Sequence, residues 1–382
     1  MAVVLVIASV CLLALVLLDG FETMVLPRRV TRRFRLTRFF YRGLWVPWRL
    51  IAMRLPRGRM REGCLSIFGP LSILLLFACW MAALTVAFAC LHWSLGTILH
   101  MPGDEQMQWT EYLYMSGTTI FTLGYGDVVP LDAVGRFLAV AEAGIGFGFL
   151  AVVIGYLPVL YQAFSRRETI ISMLDARAGS PPSGGALLVR AAESHDVEAI
   201  RRFLQDLEQW SAEVLESHLS FPVLSFYRSQ HDNQSWLAAL TAALDACALI
   251  IAMIKDVAPY QAQLTFAMAR HAAVDLVLVF HVPPDIDAHG RMTDTALSHL
   301  RAALAKANIP LHDEATAAAK FAELRAMYEP FVVALGWYFV FAVPPVFRET
   351  ETVDNWQTSA WMRRTVGIGK LRARPPSDEH FA

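Results

Sequence analysis

The sequence lacks the patterns that identify most enzymes and metal proteins. Its five cysteines are scattered, with no spacing typical of a disulfide framework or a zinc site. It contains no glycine-rich dinucleotide fingerprint, P-loop or HExxH motif, and its histidines never fall at ligand spacing with a second donor. The net charge of −1 gives no overall field that would attract nucleic acid. These absences argue against an enzyme, a resident metal or cofactor, and nucleic-acid binding.

What the chain has in abundance is apolar sequence. Hydrophobic residues make up 55% of its 382 residues, and the mean hydropathy is +0.42. Residues 2–18, 64–93 and 133–164 are long enough to cross a membrane. A cleavable signal peptide is the alternative for the first stretch, but no basic n-region or small-x-small cleavage site accompanies it. We therefore expect three spans joined to a soluble part.

Positive charge is concentrated between the first two stretches. Residues 28–61 contain many arginines and no acidic residue. A short basic loop stays cytoplasmic, so the amino terminus is predicted to lie outside the cell membrane. Aromatic residues, among them Trp45 and Trp48, are interleaved with the arginines and favour a segment that lies on an anionic lipid surface. The alternative is a solvated linker that only sets orientation.

The central motif lies between the second and third stretches, where residues 119–127 read Thr-Ile-Phe-Thr-Leu-Gly-Tyr-Gly-Asp. Non-helical backbone at membrane depth is tolerated only where protein buries it or where it lines a water-filled path. Glycine permits the unusual φ values that turn successive carbonyls inward. Inward carbonyls ending in the Thr122 hydroxyl would replace the water shell of a cation. The alternative is a chance turn in an extracellular loop.

This motif resembles the selectivity filter of the potassium channel superfamily, T-x-x-T-V-G-Y-G-D, with leucine in place of valine. The resemblance covers about residues 63–167. It implies a homotetramer, because one chain supplies one filter, and a short pore helix at residues 109–121. It also implies potassium sites at Thr122, Leu123, Gly124, Tyr125 and Gly126. A glycine about twenty residues past the filter serves as a gating hinge in this family, and Gly146 falls there.

The inner stretch, 133–164, carries further residues of interest. Pro158 is expected to kink the helix, whereas close helix packing is the alternative role for Gly144 and Gly148. Glu142 is an acid inside a span and therefore needs a partner. Thr118 and Thr119 are predicted to donate hydrogen bonds to it, and Asp127 to hold the outer mouth. Glu142 either fixes the structure or makes conduction pH-dependent.

The predicted fold class is an all-α membrane protein with a tetrameric channel pore, an extra N-terminal transmembrane helix and a helical cytoplasmic domain. The predicted divisions are a helix at 1–20, a basic linker at 21–62, the pore domain at 63–167, a linker at 168–185, the helical domain at 186–347 and a flexible tail at 348–382. Helices are expected at 197–219, 235–255 and 293–307. The apolar segments 236–254 and 331–347 are predicted to be core elements rather than spans, because they contain Asp245 and a Pro-Pro pair, respectively.

The predicted function is passive, potassium-selective conduction across the cell membrane, gated by the inner helix and regulated through the cytoplasmic domain by an unknown ligand. No cofactor beyond potassium ions in the filter is expected. Two alternatives remain. One is a transporter subunit of the Trk type, although such chains carry four filter repeats and this one carries a single repeat. The other is a membrane-anchored signalling or scaffold protein with a vestigial pore.

Overall fold

A computed structural model of the chain describes residues 1–26, 35–100, 108–193, 197–230, 233–255, 257–287 and 290–347. The predicted tail at 348–382 and part of the basic segment lie outside these residues. The described part is α-helical apart from two short strands. Its elements are α1 (Ala2–Met24), α2 (Leu36–Arg54), α3 (Arg59–Ser94), β1 (Leu99–His100), α4 (Trp109–Ile120), β2 (Val129–Pro130), α5 (Ala133–Ala178), α6 (Gly184–Glu193), α7 (Val197–Ser220), a 3-10 turn (Pro222–Phe226), α8 (Trp236–Met253), α9 (Pro259–Phe280), α10 (Asp294–Lys306), α11 (Glu314–Ala326) and α12 (Glu329–Phe339).

Within the described ranges, α1, α3, α5, α8 and α9 are long and apolar enough to cross a membrane. The first three correspond to the predicted spans, and the predicted all-α membrane class is confirmed. The structure differs from the prediction at the end of α5, because residues 168–178 of the predicted linker are helical. The side chains of Ile171 and Leu174 are buried there at helical spacing, and their burial extends the helix beyond the apolar span.

The chain divides into two compact units. The first contains Met1–Leu55 and Ile67–Gln162, and the second contains Pro56–Ser66 and the chain from Ala163 onward. In the first unit α1 is held by the buried carboxylate of Asp19. Its Oδ2 accepts hydrogen bonds from the backbone N–H of Thr37 (3.0 Å), the Thr37 hydroxyl (2.5 Å) and Trp80 Nε1 (3.1 Å). A carboxylate in an apolar helix needs such donors, and these tie α1 to α2 and α3.

The second unit is built around α8, which Ser235 caps by accepting a hydrogen bond from Ala238 N at 3.0 Å. Nearly every side chain of α8 is buried, in agreement with the predicted core helix. Its one carboxylate, Asp245, receives hydrogen bonds from Arg291 Nη2 (2.5 Å) and the Tyr328 hydroxyl (2.5 Å). Burial and the neighbouring Asp245 carboxylate raise the pKa of Tyr328 well above its usual value, so that the phenol stays a donor.

The last turns of α5 belong to this second unit and are fixed there by Arg167. The buried guanidinium donates hydrogen bonds to the carbonyls of Leu224 (2.9 Å) and Tyr227 (3.0 Å). Trp210 Nε1 donates in turn to the Arg167 carbonyl at 3.0 Å. Because a buried cation needs several acceptors, Arg167 acts as an anchor of the helix end rather than as a solvated flank of the span.

Candidate functional site

The motif 119–127 follows directly on α4, whose start is fixed by a capping box. Gln108 N donates to Glu111 Oε2 at 2.9 Å, and the Gln108 side chain accepts from the backbone of Glu111. Such caps contribute about 1 kcal/mol. The helix is held on its inner side by Tyr112 and Met115, which are buried in a small apolar cluster. The predicted pore helix is therefore present and ends one residue before Phe121.

The backbone of the motif alternates in handedness. Thr122, Gly124 and Gly126 have left-handed φ values of 58°, 55° and 79°, whereas Leu123 and Tyr125 between them have negative φ. A backbone whose φ alternates in sign in this way favours successive carbonyls on one side of the chain. A left-handed threonine costs about 1–2 kcal/mol. The backbone of the motif is therefore strained at Thr122.

Thr118 and Thr119 support the inner end of this segment through their backbone. The carbonyl of Thr118 accepts from Leu123 N (2.8 Å) and Gly124 N (3.1 Å), and that of Thr119 accepts from Thr122 N (3.0 Å). These bonds connect the end of α4 directly to the strained residues.

The hydroxyl of Thr118 donates within its own helix, to Met115 O at 3.0 Å. The hydroxyl that donates to Glu142 belongs instead to Ser116, at 3.4 Å. The prediction that Thr118 and Thr119 are the donors to Glu142 is therefore wrong. For Thr118 the reason is helix geometry, because two residues along an α-helix turn its side chain about 200° away from the face on which Ser116 meets α5.

Asp127 lies at the other end of the motif, where its exposed carboxylate is held by two donors. The Tyr114 hydroxyl donates to Oδ2 at 2.8 Å, and Val128 N donates to Oδ1 at 3.0 Å. Tyr114 belongs to α4, so both ends of the motif are fastened to the helix that precedes it. This contact places Asp127 where the chain turns away from the carbonyl row.

Glu142 meets a histidine from the last turn of α3. His92 Nε2 lies 3.7 Å from Glu142 Oε2, and both side chains are fully buried. His92 Nδ1 contacts Thr97 Oγ1 at 3.2 Å. Sequence reasoning missed the pair because α3 and α5 bring the residues together from fifty positions apart. The only available signal was that each is a lone ionisable group near the outer end of an apolar stretch.

Asp132, also missed, closes the outer loop. Its Oδ1 accepts from Ile98 N and its Oδ2 from Gly135 N, both at 2.9 Å. These backbone donors keep the pKa of the Asp132 carboxyl below its usual range. An aspartate directly before an apolar helix is a recognisable N-cap, so this residue was open to prediction.

The glycines of α5 differ in what surrounds them within one subunit. An added Cβ at Gly144 or Gly148 meets no atom of the same subunit within 4 Å. At Gly146 the Cβ would overlap the carbonyl oxygen of Ile120 and lie 2.9 Å from its Cγ1. Gly146 therefore permits the close approach of α5 to the end of α4. Pro158 lies inside α5, which continues on both sides of it.

Large apolar side chains of the site are exposed in the single subunit. In the motif, Leu123 is 55% and Tyr125 69% exposed. Along α5 an exposed stripe recurs every seventh residue, at Val140, Phe147, Ile154 and Tyr161. Among the described residues no group of His, Cys, Asp and Glu is arranged to hold a metal ion. The site therefore offers carbonyl oxygens and apolar surface.

These elements define an all-α membrane protein with a pore loop between two spanning helices. Comparison with protein families agrees: residues 73–162, from within α3 to within α5, match the ion channel family. The match covers the motif and most of both spanning helices that flank it, in agreement with the family that the motif predicted.

Three curated relatives cover parts of the chain. The uncharacterized membrane protein YdjJ of Bacillus subtilis (strain 168) is 24% identical over 176 residues, which are 46% of this chain and 51% of YdjJ. Protein LctB of Bacillus caldotenax is 50% identical over 42 residues, 11% of this chain and 31% of LctB. LctB of Geobacillus stearothermophilus is 40% identical over 52 residues, 14% and 38% of the two chains. The chain thus spans about half or less of the length of these relatives, and no solved structure matches it.

Proposed function

We propose that the protein is a potassium-selective channel that conducts passively through a filter formed by residues 122–126 of four copies. The observation that carries this proposal is the alternation of left-handed φ values at Thr122, Gly124 and Gly126, which is the backbone pattern that a row of carbonyls facing one side requires. Rings of carbonyl oxygens replace the hydration shell of potassium in such filters. In this proposal Leu123 and Tyr125 supply the intervening carbonyls, and Asp127 holds the outer mouth.

Assembly of four copies is supported by the exposed apolar surface. Tyr125 and the stripe Val140, Phe147, Ile154 and Tyr161 are more than 60% exposed in one subunit. A seven-residue recurrence returns to nearly the same helix face and suits packing between helices. Four subunits around one axis would cover the filter side chains and bring the α5 helices together. We place the gate on α5 between Gly146 and Pro158, under the control of the domain at 186–347 and a ligand still to be identified.

We further propose that the amino terminus lies outside the cell membrane, that the C-terminal domain lies in the cytoplasm, and that α2 lies on the inner membrane surface. One face of α2 packs through Trp45 against Phe68 of α3, with ring centroids 4.7 Å apart. Val46, Leu50 and Ile51 are more than half exposed on the rest of the helix. Apolar surface together with arginines suits a helix that lies in the interface of an anionic leaflet.

The test is conduction by purified protein in a planar bilayer with potassium and sodium gradients. The wild-type protein should pass potassium in preference to sodium. Gly124→Ala should abolish selectivity or current, because alanine is strained by about 1–2 kcal/mol at a left-handed φ of 55°. Gly96→Ala is the matched control: Gly96 has a φ of 69° and, like Gly124, no atom within 4 Å of an added Cβ, but it lies outside the motif. Absence of potassium-selective current in the wild type would refute the proposal.

A further inference from the structure

The strongest unexplained feature of the first unit is a pair of ionisable groups buried behind the pore helix. His92 Nε2 and Glu142 Oε2 lie 3.7 Å apart, at a distance too long for a direct hydrogen bond. Of the described side-chain atoms, His92 Nε2 and Glu142 Oε1 are buried without a hydrogen-bond partner. Both side chains are 0% exposed. A buried, unsatisfied imidazole nitrogen that faces a carboxylate whose other oxygen is also unsatisfied calls for an explanation.

Among the residues that the structure describes, the pair has no other ion-pair partner within 4.0 Å. From α4, Ser116 donates to Glu142 Oε2 at 3.4 Å, and the Tyr112 hydroxyl donates to Thr97 O at 2.8 Å. In the turn before α5, the Asp132 carboxylate is held by backbone N–H groups. It acts on His92 at a distance, as an electrostatic influence only. Within the described part of the chain, the ionisable group nearest to each member of the pair is the other member, with Asp132 as a more distant negative charge.

A buried acid and base in this position hold protons as a unit. With one proton between them, the pair has no net charge, whichever group carries the proton. Loss of that proton leaves an uncompensated carboxylate, and gain of a second proton leaves an uncompensated imidazolium. Either charge is strongly unfavourable in surroundings that exclude water, so the packing around it must change.

The pair is placed where such a change reaches the filter. Ser116, which contacts Glu142, lies two residues before Thr118 in α4. The carbonyl of Thr118 accepts hydrogen bonds from the N–H groups of Leu123 and Gly124. A movement of α4 away from α5 would therefore shift the backbone that supports the carbonyl row. We propose that His92 and Glu142 form a one-proton couple that holds the filter in its conducting arrangement. Conduction then fails when the couple loses its proton at high pH or binds a second one at low pH.

This inference rests on the proposed potassium conduction and is tested by the pH profile of the potassium current, recorded from acidic to strongly alkaline pH. The wild-type profile should be bell-shaped, with each limb falling at least about tenfold per pH unit, because a change of one proton in any of the four couples disturbs the shared filter. Glu142→Gln should lose the alkaline limb and keep the acid limb, because only His92 still titrates. His92→Gln should do the reverse, and the double variant should give a flat profile between the former limbs.

Two further variants sharpen the test. His100→Gln removes an exposed histidine of the same outer region and should leave the wild-type profile unchanged. Ser116→Ala removes only the hydroxyl that favours the carboxylate, so the alkaline limb should move to higher pH. This small change keeps the inference falsifiable if the charged-site variants fail to assemble. An unaltered alkaline limb in Ser116→Ala, or the same two limbs in His92→Gln and Glu142→Gln, would overturn it.

A readout that does not need current separates this inference from the proposed function. Infrared difference spectra of the purified wild-type protein should show a carboxyl change across the alkaline limb, and Glu142→Gln should abolish it. If the wild type carries no potassium current but this spectral change is present, conduction is refuted and the proton couple stands as a structural device. If potassium-selective current flows and no such spectral change is found, conduction stands and the couple is refuted.

Discussion

An alanine at position 146 would place its Cβ against the backbone that ends the pore helix. The added atom overlaps the Ile120 carbonyl oxygen and lies 2.9 Å from Ile120 Cγ1. A carbonyl in the last turn of a helix cannot rotate away as a flexible side chain can, so α4 and α5 must separate. Overpacking of this kind costs about 1–3 kcal/mol. The clash involves backbone, which puts the cost at the upper end of that range.

The same substitution also removes a glycine from a helix interior, which by itself stabilises a helix by about 1 kcal/mol. We therefore expect Gly146→Ala to destabilise the pore region by a net amount of about 2 kcal/mol. Gly144→Ala and Gly148→Ala should stabilise the helix by the same helix-propensity gain without a clash, because an added Cβ meets no atom within 4 Å at either position. The difference between Gly146→Ala and these controls should be about 3 kcal/mol.

Thermal unfolding of the purified protein in detergent, followed by circular dichroism, gives the order of stability, and bilayer recordings give selectivity. Gly146→Ala should have the lowest midpoint of the three variants and reduced discrimination between potassium and sodium. Equal midpoints for Gly146→Ala and Gly144→Ala would refute the packing argument. If only the open probability then changed in Gly146→Ala, the residue would act through helix flexibility, as the family resemblance implies.

Two other predictions concern the amino-terminal part of the chain. Asp19→Leu leaves the donors of Thr37 and Trp80 without their acceptor and should destabilise the first unit by about 2–4 kcal/mol. Trp80→Phe removes a single donor and should destabilise it by only about 1–2 kcal/mol. Equal unfolding midpoints for the two variants would contradict this prediction. Replacing Arg38, Arg42 and Arg54 with glutamine should weaken anionic lipid binding by about 1 kcal/mol per charge. Native mass spectrometry measures the lipid retained, and unchanged retention would rule out α2 as the lipid-binding element.

Features encoded in contiguous sequence were accessible without the structure. The apolar stretches predicted α1, α3 and α5, and helical spacing predicted α7, α8 and α10 to within a few residues. These helix predictions succeeded because the length of an apolar run and its period are local properties of the chain.

Features that depend on packing between distant segments could not be predicted from the sequence. Ser116, His92 and Glu142 belong to three different helices, and their meeting depends on how α4 enters the space between α3 and α5. Local composition also gave a wrong boundary. The Gly/Pro/Ser run after Ala178 suggested a linker from residue 168, but burial of Leu174 keeps α5 helical to Ala178.

The acids inside the apolar helices show how partner geometry separates structural from functional groups. Asp19 accepts three hydrogen bonds, and Asp245 accepts from a guanidinium and a phenol at distances down to 2.5 Å. Both carboxylates have enough donors to offset the cost of burial and serve to fasten helices together. Glu142 has one hydroxyl at 3.4 Å and a histidine at 3.7 Å. An acid satisfied so incompletely is the least stable of the three in its charged form, and it contacts the helix that supports the filter. Of the three acids, Glu142 is therefore the one whose proton binding we expect to affect the proposed filter.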